Sequence, residues 1–67
     1  MTAIEALAEA WASIDGRLAA FRACKADPAR EDVEGRHAGY MAESAEMIRR
    51  LQARGYILLP ADAAPGS

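Results

Sequence analysis

The chain has 67 residues, 52% of them apolar, and carries a formal charge of −2 from eight Lys and Arg against ten Asp and Glu. That length allows one domain, in the range where a single core is marginal, and the acidic balance argues against nucleic acid as the main ligand. One cysteine, Cys24, excludes an internal disulfide and a thiolate-rich metal site, and no apolar run approaches the ~18 residues of a membrane span. Seventeen residues are alanine, which buries little surface, so self-association or a partner chain is expected to complete the core. The start, Met1-Thr2-Ala3-Ile4-Glu5, lacks the basic and continuously apolar stretches of a signal peptide, and a cytoplasmic location is expected. Seven arginines to one lysine, with so much alanine, suggest a GC-rich bacterial or phage genome.

Ile4, Leu7, Trp11, Ile14, Leu18 and Phe21 recur with spacing 3-4-3-4-3, the a and d positions of three heptads. They predict one helix over about 3–25. Thr2 is its N-cap and Glu5, three residues on, completes a capping box. Glu5 and Glu9 lie early, and Arg17, Arg22 and Lys25 late, as the helix dipole favours.

Asp27-Pro28 reads as a second start, with Asp as N-cap and Pro at the first helical position. A second helix is predicted over about 28–54. The short connection makes the two helices antiparallel neighbours. Val33, Tyr40, Met41, Met47, Ile48 and Leu51 form its large apolar face, with His37, Ser44 and Ala45 among them. Asp32–Arg36 and Glu46–Arg50 are i,i+4 ion pairs. Gly35 and Gly39 weaken this helix, and Gly35 is where it can break, leaving 28–34 as a separate turn. Gly55 is expected at the left-handed C′ position, with Tyr56 at C″ covering Leu51.

Ile57-Leu58-Leu59 precedes Pro60, which favours extended chain; residues 60–67 are expected to be disordered. Three large apolar residues after a helix stop should not remain in water. They either fold back over the hairpin or dock on another chain.

Few residues suggest chemistry. His37 has no second nitrogen or nucleophile at helical spacing, and is expected at the edge of the interface beside a carboxylate. Cys24 lies near Arg22 and Lys25 but at a helix C-terminus, and is expected to pack rather than react. The acids Asp27, Glu31, Asp32 and Glu34 match no calcium loop, and Trp11 is expected in the core. Gly35-x-x-x-Gly39 with Ala42 is a small-residue stripe that would admit close approach of another chain. Arg49, Arg50 and Arg54 are the residues that would contact nucleic acid, with Tyr40 or Tyr56 as stacking groups. No catalytic, metal or cofactor site is expected.

The predicted fold is therefore all-α: an antiparallel two-helix hairpin over residues 1–59 with an apolar tail, pairing into a homodimeric four-helix bundle. Its seam comprises Ile4, Leu7, Trp11, Ile14, Leu18, Phe21, Tyr40, Met41, Ile48 and Leu51. The expected role is a non-catalytic adaptor, regulator or inhibitor that binds itself and another protein through a helical face and Ile57, Leu58 and Leu59; a nucleic-acid-binding module is the alternative.

Overall fold

A computed structural model describes residues 1–27, 29 and 35–59. The described part is all-helical, with three helices rather than the two predicted: α1 (Ala3–Ile14), α2 (Leu18–Ala26) and α3 (His37–Ala53). Pro28, Val33, the Asp32–Arg36 pair and the tail beyond residue 59 lie outside the described residues.

The first predicted helix is corrected into two. Its start is as expected in one half of the capping box: Thr2 Oγ1 accepts from the Glu5 backbone N–H at 3.1 Å. The Glu5 side chain turns instead to Lys25, 2.7 Å away. After Ile14 the chain stops at Gly16, whose φ of +71° lies in the left-handed region. The Gly16 N–H donates to Ser13 O at 3.1 Å and the Arg17 N–H to Ala12 O at 2.7 Å. These are the two bonds of a Schellman ending, with Asp15 as C-cap and Gly16 at C′. Asp15-Gly16 was the signal, since Asp-Gly is a turn dipeptide; the heptad pattern running across it predicted a continuous helix.

The second predicted helix is corrected at its start. α3 begins at His37, after Arg36 in a left-handed conformation (φ 43°, ψ 40°). Gly35 precedes it and is buried. The break therefore falls at Gly35-Arg36, the place where the two helix-weakening glycines begin. The end of α3 is as predicted. Gly55 has φ +88°, its N–H reaches Gln52 O, and the Tyr56 N–H reaches Leu51 O, both at 3.0 Å. Asp27, expected as the N-cap of the second helix, is the C-cap of α2 instead, and its carboxylate accepts from the Ala29 N–H at 3.2 Å.

The core is small and centred on small side chains. Ala8, Ala12, Phe21 and Tyr40 form its buried cluster, with Trp11, Leu18 and Met41 packed against it; Cys24 and Ser44 are also buried. On α1 the buried line is therefore 8 and 12, about a quarter turn from the predicted Ile4–Leu7–Trp11 line. Alanine there lets α1 and α3, the principal packing pair, approach closely. Phe21 is the anchor from α2. Its ring lies 4.8 Å from that of His37 and 6.1 Å, edge-on, from that of Tyr40.

Candidate interaction surface

An apolar opening lies where the tail returns past the start of α1. Because Gly55 reverses the chain at the end of α3, residues 56–59 run beside α1 rather than away from it. Leu58 and Leu59 face Met1, Thr2, Ala3, Ala6 and Leu7 across an apolar cleft of about 360 Å³. The tail is thus neither packed away nor fully free. Tyr56 and Ile57 are 68% and 65% exposed, Leu58 and Leu59 43% and 48%, and Met1 79%. Five large apolar side chains are left in contact with water at one corner of the molecule.

A second apolar side chain stands out at the other end of α1. Ile14, placed by the heptads on the seam, is 77% exposed at the elbow before Gly16. Ile4, Leu7, Trp11 and Leu18 are half-buried, as are Met41, Ile48 and Leu51. Phe21 and Tyr40 are buried. Of the stripe of small residues, Gly39 is half-buried and Ala42 exposed. A Cβ at position 39 would lie 3.7 Å from the Arg36 guanidinium, an ordinary contact.

The arginines at the end of α3 are occupied locally. Glu46 accepts from both Arg49 and Arg50, the latter at 3.1 Å. These two guanidiniums, Arg49 first, hold the Glu46 carboxyl below its ordinary range. Arg54 donates to the Arg50 carbonyl at 3.0 Å, satisfying one of the open carbonyls of the last turn. A row of charge that closes its own helix end is a weak platform for phosphates.

His37 is half-buried against Phe21, and Cys24 is buried. The Tyr40 hydroxyl donates to Asp15 Oδ2 at 2.5 Å, and this bond, followed by burial, raises the phenol's pKa. The Arg36 guanidinium lies 5.7 Å from the centroid of the Tyr40 ring and 3.8 Å from Glu43. α1 and α2 are clasped by Lys25–Glu5 and by Arg22–Glu9 at 3.2 Å. The hydrogen bond and charge of Lys25 lower the Glu5 pKa, and Glu5 raises that of Lys25 in return. These pairs, 13 and 20 residues apart in sequence, need the bend at Gly16, since a straight helix over 3–25 holds their members too far apart to meet.

Among the described residues no three His, Cys, Asp or Glu gather as metal ligands, and no helix is long and apolar enough to cross a membrane. No protein-family model, curated protein or solved structure matches the chain.

Proposed function

We propose that the chain is a small non-catalytic interaction protein, an adaptor, regulator or inhibitor, that pairs with a second copy of itself and presents its apolar corner to another protein. One observation carries this reading: the run Tyr56–Leu59, with Met1 beside it, remains in water on a chain whose buried core holds only two large side chains, Phe21 and Tyr40, among the described residues. A contiguous exposed apolar patch of this kind marks a contact surface. A tail with no regular secondary structure over 56–59 also offers a partner the main-chain hydrogen bonds of an added strand. The engagement of Arg49, Arg50 and Arg54 within α3 favours a protein partner over nucleic acid.

Cutting the chain after Tyr56 tests the corner. Helicity should be retained, since α3 is closed by the Gly55 turn, while proteins captured by the full chain should be lost from the shortened one. Capture that survives the cut would contradict this role for the tail.

Self-association is the other half of the proposal. Two three-helix units pairing through their half-buried apolar faces give the bundle a core that one unit lacks, in place of the four-helix dimer of hairpins. Trp11→Asp or Leu18→Asp should then dissolve the oligomer together with the fold, measured by sizing and circular dichroism. A stable, folded monomer from either variant would count against it.

A further inference from the structure

We propose that the Asp15-Gly16-Arg17 elbow is an exchange hinge, which straightens to join α1 and α2 into one helix so that α1 packs on the α2–α3 pair of a second copy. This rests on the self-association reading above and states how it occurs.

The backbone needs little change. Asp15 (φ −79°, ψ −2°) already has right-handed helical dihedrals, and Arg17 (φ −117°, ψ 15°) lies beside that basin. Only Gly16, at φ +71°, is left-handed, and glycine crosses between the two regions at no steric cost. No proline interrupts residues 3–26. On straightening, the two Schellman bonds give way to ordinary i→i−4 bonds, so backbone hydrogen bonding is conserved.

The side-chain pattern fits the straight helix better than the bent one. The 3-4-3-4-3 series from Ile4 to Phe21 crosses the elbow without a skip, yet the bend leaves its central member, Ile14, 77% exposed. A single helix restores Ile14 to the stripe of Trp11 and Leu18, and two such helices crossing at the hinge would bury it against its counterpart.

Exchange also keeps what α2 already makes. The Arg22–Glu9 and Lys25–Glu5 pairs re-form between chains with the same geometry, and the ring contacts of Phe21 with His37 and Tyr40 stay within one chain. Swapping an identical element is for this reason a low-cost route to a dimer, and short hinge loops invite it.

The clasp between α1 and α2 provides the test. One full-length chain carries Glu5→Lys and Glu9→Lys; a second carries Arg22→Glu and Lys25→Glu. Within each chain like charges now face each other across the two helices, and only exchange between the two kinds of chain restores both pairs. Equimolar mixing is expected to give a heterodimer by native mass spectrometry, with recovery of helicity. Two unassociated species, with a circular dichroism spectrum equal to the mean of the separate ones, would overturn the exchange. Two single variants check it independently. Gly16→Ala, which disfavours the left-handed turn and favours helix, should tighten the dimer by about fivefold or more. Ile14→Glu should weaken it with helicity unchanged. An unmodified-chain dimer that neither substitution alters would overturn exchange and leave self-association standing; a monomer at every concentration would remove both.

Discussion

The Ser44 hydroxyl is fully buried between the helices and has no hydrogen-bond partner among the described groups. Burying a hydroxyl without a partner costs about 1–3 kcal/mol in proteins. Ser44→Ala is therefore expected to stabilise the fold by roughly 1 kcal/mol, raising the thermal midpoint by about 5 °C for a chain of this size. Its merit at this position is size: with Ala8 and Ala12 it lets α1 and α3 come close. Tyr40 is the opposite case, a buried ring whose hydroxyl is satisfied by Asp15. Since the bond raises the phenol's pKa, its stabilisation is fully present below the unfolded value and is lost as pH rises through the higher folded one. Thermal unfolding of the native chain should weaken above about pH 10. Tyr40→Phe should be less stable at neutral pH and lack the tyrosine contribution to this decline. A variant as stable as the native chain would show that Asp15 has another partner. Neither role was legible in the sequence, where Ser44 read as one residue of an apolar face and Tyr40 as a seam or stacking residue.

Gly16 and Gly55 make the same turn at the ends of two helices, and only one was recognised. Gly55 follows the last apolar repeat and precedes an extended tail, so pattern and turn chemistry agreed. At Gly16 they disagreed, because the heptads continue on its far side. That conflict is why a single rod was predicted, and it is physical rather than incidental if the two forms exchange. The start of α3 was legible only as a weak point at Gly35. An arginine in left-handed conformation (φ 43°) is not the residue a sequence would nominate for a helix N-cap. Gly55→Ala should destabilise the chain by about 1 kcal/mol, because an L-residue resists φ +88°, visible as a lower thermal midpoint with α3 frayed at its end. An unchanged midpoint would mean that this ending contributes little.

For the molecule as a whole, the all-helical class followed from periodicity, as did the burial of Phe21 and Tyr40, whereas the burial of Ala8, Ala12 and Ser44 did not. Heptads nominate the largest apolar side chains, but α1 packs Ala8 and Ala12 inward and leaves Ile4, Leu7 and Trp11 half-buried. Only the partition into three helices, with α2 clasped against α1 by Glu5 and Glu9, produces that rotation. The clasp also gives a pH signature. The Glu5 and Glu46 pKa values are lowered, by Lys25 and by Arg49 and Arg50. Their stabilisation is therefore present above the ordinary carboxylate value near 4.5 and is lost as pH falls through the lower folded values. Stability should decline below about pH 4.5, and Glu5→Gln should reduce that decline; a variant with the full acid loss would place its origin elsewhere.

The half-buried seam, the exposed Ile14 and the apolar corner all bear on one quantity, the mass of the chain in solution. Light scattering on a sizing column, across a concentration series, should give a mass rising from 7.2 kDa toward twice that value, with helicity maintained. A well-folded species of 7.2 kDa at every concentration would contradict self-association and mean that one copy satisfies its own core.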